Sequence, residues 1–489
     1  MPDHGVRFPM VDGRRSTQRT GRDVFAAAAA AVDPGLAAEI RAERSWRSAY
    51  PRHLRLLTEA AAASPAAGLS VARSGLDRVH TTFEHTDGAT TMPVPTAVAT
   101  HAGAIPPTHT AAGAGTADDE LVIPVDGRKL RGDALLATID GWVARGVVEP
   151  PLRAAIGDLV ERPGWLDLRG TWFAVLGAGA EMAPTAQLLR WGADVAAVDL
   201  PSGDVWYRLE RAAVAGTGRL HAPVADDGRP PGADLIVAAP AVRAWLASLD
   251  HPLVIGNYGY AEGATFARLS VAADAVIANL LEHRDDHGVV CLATPTDVFA
   301  VPAHVATATR ARAHSIPART LAPVLRAASG GRLLQPNHRT TVRTAAGDEV
   351  GIADSLVPQQ GPNYAFAKRL QRWRALTAHA DGRFAAVHVA PPTRTRSVVK
   401  NRVLAAAYGG ASLFGVEVFA PETSRALMAA LVVHGLRTHA AGHAPTPPTD
   451  EHVLTAAAAH GGLWRVAWET RTAFPLVIVR GAPALLRRG

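Results

Sequence analysis

The chain has 489 residues, 48% of them apolar, with 50 Lys and Arg against 44 Asp and Glu, a size that allows two to four domains and at least one large core. Its +6 net charge is carried almost wholly by arginine, since Lys129, Lys368 and Lys400 are the only lysines, and no basic helix or aromatic-interleaved basic patch marks a nucleic-acid partner. Cys291 is the only cysteine, which excludes an intrachain disulfide and a thiolate metal cluster, and no segment reads as a membrane span or a cleaved leader, so the expectation is a cytoplasmic protein without a membrane partner.

In chain order, residues 1 to about 20 are polar, arginine-rich and expected to fray. Residues 23–63 are helical in composition, with breaks near Asp33-Pro34-Gly35 and before Pro51. Residues 1–84 therefore read as an Arg/Ala-rich helical N-terminal region. Residues 85–119 are Thr, Ala, Gly, Pro and His without periodicity, the composition of a flexible linker, and end in the solvated acidic run Asp118-Asp119-Glu120. Residues 120–168 read as a helical subdomain. It opens with a short strand and turn in LVIPVDG and continues with amphipathic helices over 132–145 and 150–161, which set Leu135, Leu136, Ile139 and Trp142 on one face.

From 169 to 420 apolar strands alternate with helices, which predicts an α/β fold: a doubly wound parallel sheet, Rossmann-like, with helical N-terminal and C-terminal additions. The opening is Thr171 to Leu200. Trp172–Leu176 suits a buried parallel strand, and Gly177-Ala178-Gly179 makes a tight turn. A helix with Pro184 in its first turn carries Leu188 and Leu189 inward, and Val195–Val198 forms a second buried strand that ends at Asp199. Glycines here let backbone N–H groups approach a phosphate, and an acid about 20 residues on accepts hydrogen bonds from ribose hydroxyls and repels a 2′-phosphate. Gly177, Gly179 and Asp199 are thus candidate nucleotide-binding residues. Further strands are read at Ala233–Ala238, Leu253–Ile255 and Val289–Ala293, with a helix over about 264–282 before the last. Residues 298–354, turn-rich and proline-containing, read as an insertion. The rhythm returns with a helix over 362–378 and a strand over 384–389. Residues 421–489 form a C-terminal helical and strand region: a helix over 421–434, a Pro/His/Thr loop over 440–452 and a strand-like run over 474–479.

The sharpest chemical signal is Gly361-Pro362-Asn363-Tyr364-Ala365-Phe366-Ala367-Lys368. Gly followed by Pro starts a helix well, and Tyr364 and Lys368 then stand one turn apart on one face. A tyrosine is a weak acid–base group at its ordinary pKa of about 10, and a nearby ammonium lowers that value by favouring the phenolate. Such a pair protonates a carbonyl oxygen as hydride arrives, or takes an alcohol proton in reverse. Composition alone predicts only about 0.04 Tyr/Lys pairs at this spacing.

Tyr-x-x-x-Lys on a helix, after a glycine-turn Rossmann half, resembles the short-chain dehydrogenase/reductase family over about 170 to 400. Gly256-Asn257-Tyr258-Gly259 stands where the family has Asn-Asn-Ala-Gly, and Asn279 where it keeps a helical Asn that continues a proton relay. Thr294 and Thr296 stand where the family has its catalytic Ser, and Pro391-Pro392-Thr393-Arg394-Thr395 where it has Pro-Gly and then a Thr near the nicotinamide amide. The resemblance implies an NAD(P)-dependent oxidoreductase that passes hydride between nicotinamide and a small-molecule carbonyl or alcohol. In that reading Tyr364 is the acid–base group, Lys368 lowers its pKa and binds the nicotinamide ribose, Thr294 or Thr296 orients the substrate oxygen, and Asn279 continues the relay. Gly177, Gly179, Asp199, Asn257, Gly259, Pro391 and Thr395 join Lys368 in holding the cofactor, with NAD favoured by Asp199 and NADP the other option; a homo-oligomer is compatible. The chain departs from the family pattern where Glu181 and Ala183 replace two glycines and Pro392 replaces another. Ser355, nearer to Tyr364 in sequence, is a rival to the threonines, which require the 298–354 insertion to loop out and return.

Two other readings share the opening. An S-adenosylmethionine-dependent methyltransferase also begins strand, glycine turn, helix, strand, acid, but no acid ends the first strand here. A nucleotide-binding scaffold without catalysis would tolerate the altered glycine motif. No metal site is expected from His434, His439, His443, His452 and His460, whose spacings vary across a Pro-rich loop. Arg394, Arg396, Lys400 and Arg402 form a basic patch suited to a substrate carboxylate, a cofactor diphosphate or solvent. Leu427, Met428 and Leu431 mark a core helix or a cap on a pocket, and Cys291 reads as a buried hydrophobe.

Overall fold

Seven strands build the central sheet: β1 Thr108–Ala112, β2 Trp172–Leu176, β3 Asp194–Val198, β4 Arg219–Pro223, β5 Leu253–Asn257, β6 Gly288–Ala293 and β7 Ala385–Val389. Their order across the sheet is β7-β6-β5-β2-β3-β4-β1. The six from β2 to β7 are parallel, and β1 closes the far edge antiparallel to β4. This computed structural model describes all residues except 1–3, 102, 226–227, 314–315, 443–454 and 487–489.

The helices that bear on the site are α1 Thr17–Ala30, α2 Trp46–Ala61, α3 Pro65–Thr82, α4 Thr185–Arg190, α5 Leu235–Ser248, α6 Gly263–His283, α7 Gly361–Ala380, α8 Arg396–Lys400, α9 Arg402–Gly410, α10 Pro421–Ala440 and α11 Thr470–Leu486. Side chains alternate across a strand, so a sheet covered on both faces needs strands that are apolar throughout. Ala174 and Leu176 of β2 join a core with α5, α6, α7 and the N-terminal helices, while Phe173 and Val175 join a second core with α4, α10 and the helices Gly132–Arg145 and Pro150–Glu161. The fold is thus the doubly wound α/β sheet expected. The N-terminal helices lie over α7, with the Phe25 ring 5.8 Å from Trp373.

Several expectations are corrected. Residues 4–20 are not frayed: Gly5–Arg7 pairs with Glu84–Thr86, and Val6 is fully buried. The supposed linker at 85–119 supplies edge strand β1, whose Thr and His alternate without an apolar period. The third parallel strand is β4, not Ala233–Ala238. That run starts α5, because Asp234 accepts the Ile236 N–H at 2.9 Å and the apolar sequence continues for a helical length. The run at 474–479 lies inside α11, which packs on α9 where Gly410 and Gly481 let the two backbones meet. Helix α6 is long and apolar enough to cross a membrane by length and composition, contrary to the expectation that no segment is; it is buried in the fold. The loop read at 440–452 falls mostly outside the described residues.

Val298–Pro302, Glu349–Asp354 and Thr341–Arg343 form a separate antiparallel sheet. Val298 pairs with Asp354, and the Ser355 N–H donates to Asp297 O at 3.1 Å, so the chain returns to where it left β6.

Candidate functional site

Strand order reverses between β2 and β5, and loops leaving their carboxyl ends in opposite directions open a crevice there. A cavity of about 700 Å³ occupies it, within the range of small-molecule sites. Its walls come from the loops after β2, β5, β6 and β7, the start of α7, helices α8 and α9, and Thr17, Gln18 and Arg47 of the N-terminal region.

Gly361, at φ 75°, turns the chain into α7, and Pro362 occupies its first turn. Tyr364 and Lys368 both face the cavity. Thr294 and Thr296 line the cavity beside Tyr364, and Thr294 Oγ1 lies 2.8 Å from Thr296 Oγ1. Lys368 Nζ donates to Leu292 O and Gln371 Oε1, each at 3.1 Å, and stands 5.9 Å from the Phe266 ring. None of these partners is a carboxylate. Burial therefore brings the Lys368 ammonium down to about 8. Burial also pushes the Tyr364 phenol above its ordinary range, against a smaller opposing pull from the neighbouring Thr294 side chain. Contrary to the lowering of the Tyr364 pKa expected from Lys368, desolvation dominates and the shift is upward.

A buried ion cluster holds this geometry. Asp297 follows Thr296 and receives Arg369 Nη2 at 3.0 Å and Arg372 Nη1 at 2.6 Å, both from α7. The same two guanidiniums reach Val298 O. One helix therefore presents Tyr364 and Lys368 to the cavity and grips the threonine loop with its neighbouring residues.

Of the residues singled out in the sequence, Gly179, Asn257, Gly259, Thr294, Thr296, Tyr364, Lys368, Pro391 and Thr395 line this one cavity. Asn257 Oδ1 accepts the Gly259 N–H at 3.2 Å, and Thr395 Oγ1 lies 3.0 Å from Ser397 Oγ. Ser355 does not line it and is fully buried, so of these three hydroxyl residues only the two threonines share the cavity with Tyr364. Asn279 does not line it either: its side chain accepts from Arg243 Nε on α5, which contradicts the relay expected of it.

The glycine turn also differs from expectation. Gly177 and Ala178 donate to Val198 O at 2.7 and 3.2 Å, Gly179 to Asp199 Oδ2 at 2.7 Å, and Ala180 to Gly177 O at 3.0 Å. All four amides are engaged within the protein, and Asp199 caps the turn rather than facing the cavity. Gly177, at φ 82°, is needed because a Cβ there would stand 2.5 Å from Gly259 N. Helix α4 begins only at Thr185, after Pro184.

Sequence reading missed Tyr260 and Tyr408 in the walls; Arg396 there had appeared only as part of a basic patch. Helix α10 is a core helix, with Leu427, Met428 and Leu431 buried; α8 and α9 cover the cavity instead. The described histidines disperse: His434 bonds Asp158, His439 packs near Phe384 and His460 bonds Glu149, while His443 and His452 lie outside the described residues. Cys291 is buried in β6, and burial pushes its thiol up to about 12.

No protein-family model and no curated protein matches the sequence. Among solved structures, the chain is similar to a 3-oxoacyl-[acyl-carrier protein] reductase from Brucella melitensis ATCC 23457, at 11% identity over 61% of this chain and 93% of that one, with a TM-score of 0.35. It is similar to a short-chain dehydrogenase/reductase from Serratia marcescens BCRC 10948, at 14% identity over 54% and 90%, with a TM-score of 0.33. A ribose-5-phosphate isomerase from Brucella melitensis 16M matches at 15% identity over 53% and 83%, with a TM-score of 0.31.

Proposed function

We propose that the chain is a nicotinamide-dependent oxidoreductase acting on a carbonyl or alcohol carbon, with Tyr364 as its acid–base group. The observation that carries the reading is Tyr364 in the switch-point cavity together with Thr294 and Thr296, one helical turn from a lysine whose hydrogen-bond partners include no carboxylate. A neutral phenol donates its proton to an oxygen that gains charge, and Thr294 with Thr296 holds that oxygen in place. Lys368, titrating near 8, adds positive charge beside the reacting oxygen and offers a donor to a ribose hydroxyl. Asn257, Gly259, Pro391 and Thr395 form the remaining walls against the dinucleotide. The cofactor, when bound, supplies or accepts the hydride. Asp199 does not line the cavity, but a negative charge behind the glycine turn at the end of β3 still disfavours a 2′-phosphate, so NAD is the preferred form and NADP the secondary one.

The residues at the Tyr364 end fit a nicotinamide, whereas the glycine-turn amides are not free to take a diphosphate. That engagement alone favours a scaffold without catalysis; the Tyr364–Thr294–Lys368 grouping opposes it. Thermal melting of the purified protein with NADH, NADPH or S-adenosylmethionine tests the reading. NADH is expected to raise the Tm most. A rise with S-adenosylmethionine alone contradicts the oxidoreductase and favours a methyltransferase.

A further inference from the structure

The N-terminal helices stand outside the doubly wound sheet, yet they complete its cavity. Arg47, in the first turn of α2, lines the cavity together with Thr17 and Gln18 from the start of α1. Its place is fixed from the far end of the same helix. Thr58 Oγ1 of α2 accepts Arg369 Nη2 of α7 at 3.0 Å, and Phe25 of α1 packs on α7 with its ring 6.3 Å from Phe366 and 5.8 Å from Trp373. Arg47 and Tyr364 are thus presented by two helices bonded to one another. Arg47 is also the uncommitted cation of the walls. Lys368 donates to two neutral oxygens, and Arg396 is turned to Glu181 through its backbone N–H at 2.8 Å and its Nε at 3.8 Å. The carboxylate nearest to Arg47 in the chain, Glu43, accepts the Ser45 N–H at 2.6 Å and lies 3.2 Å from His53 Nε2 instead. Among the described residues no carboxylate pairs with Arg47, although Glu262 lines the same cavity. Its side chain is exposed, so an incoming anion meets it without displacing a protein partner. A guanidinium is a planar fork that matches a carboxylate, and Thr17, Gln18, Gln359 and Gln360 supply neutral polar walls rather than a competing charge.

We propose that the substrate carries a carboxylate besides its carbonyl or alcohol group, and that Arg47 is the residue that selects it. The identity of the reacting group rests on the oxidoreductase reading; the carboxylate site itself does not. The N-terminal addition then sets the substrate class, an oxo or hydroxy acid, while the sheet and α7 set the chemistry.

The test follows NADH oxidation and thermal melting with a panel of 2-oxo and 4-oxo carboxylic acids and their methyl esters, for the wild type, Arg47→Met and Arg47→Lys. In the wild type the acids are expected to exceed their esters in kcat/KM. Arg47→Met is expected to cut that acid-to-ester ratio about tenfold, mainly through KM, the worth of a charge-assisted contact at a solvent-accessible site. Arg47→Lys, which keeps the charge but not the fork, is expected to fall between the two. The acids are also expected to raise the Tm of the wild type more than that of Arg47→Met. An acid-to-ester ratio equal in the wild type and Arg47→Met overturns the carboxylate site and leaves the oxidoreductase reading intact. Stabilisation by the acids that Arg47→Met abolishes, with no NADH oxidation by any of the three proteins, supports the site and overturns the oxidoreductase reading. An NADH Kd weakened about tenfold in Arg47→Met assigns the arginine to the cofactor and overturns the proposal, as do acids that neither react with the wild type nor stabilise it.

Discussion

At the amino ends of the parallel strands, the Trp172 ring lies between those of His221 and His251, 4.7 and 4.4 Å away; His221 bonds Asp194 and Thr110, and His287 Nδ1 accepts the Leu253 N–H. At the carboxyl ends, Tyr364, Lys368, Thr294 and Thr296 face open volume. Both ends carry titratable and aromatic side chains. The difference lies in the connections. At the amino ends these polar groups find partners within the sheet and its neighbours, and none of them lines the cavity. At the carboxyl ends the loops after β2 and β5 separate, and Tyr364 and Lys368 stand half-buried against the space between them, with no carboxylate bonded to the lysine. Polar residues on a sheet edge become a candidate site where the topology leaves a space, not where polarity is greatest.

The comparison breaks most strongly at Gly177. Alanine there must adopt a positive φ and push against Gly259 backbone, so Gly177→Ala is expected to lose about 3 kcal/mol or more of stability in denaturant unfolding. A loss within 0.5 kcal/mol, the usual range of surface substitutions, would mean that the two loops are not in contact.

A pair of pH experiments sharpens it. His287 is buried and neutral, held down to about 4 by desolvation, below the unfolded value of about 6.5. The unfolded chain therefore binds the extra proton between those values, and stability falls as pH drops from about 6.5 to about 4, by about 3 kcal/mol from this group. His287→Gln is expected to flatten that part of the wild-type curve. Lys368 behaves oppositely in pH range. Its folded value of about 8 lies below the unfolded value of about 10.4, so its contribution improves as pH rises from about 8 to about 10.4. Lys368→Met should therefore be more stable than the wild type at pH 7, by about 2 kcal/mol after allowance for partial exposure, with the gap closing across that window. A gap independent of pH would show that the ammonium is not desolvated.

The order of α and β elements was legible because strands covered on both faces must be apolar and the helices between them are long. The misread segments share a physical cause. Arg219–Pro223 and Thr108–Ala112 are true strands with little apolar content, while the apolar run at Ala233–Ala238 is short enough to suit either state until Asp234 caps it. The site was legible through Tyr364 and Lys368, four residues apart on one helix. Asp297 with Arg369 and Arg372 was not, since the partners are 72 and 75 residues apart and only the fold joins them. Gly177 and Asp199 were found by a phosphate-binding pattern, yet here they serve the turn itself.

The central claim is that Tyr364 donates the proton at this cavity. It is tested by following NADH oxidation with a panel of aldehydes and ketones for the wild type and Tyr364→Phe. The account predicts that kcat falls at least 100-fold in Tyr364→Phe, the usual worth of a positioned general acid, while the NADH Kd is unchanged. Equal kcat for the two proteins on a reduced substrate would contradict it.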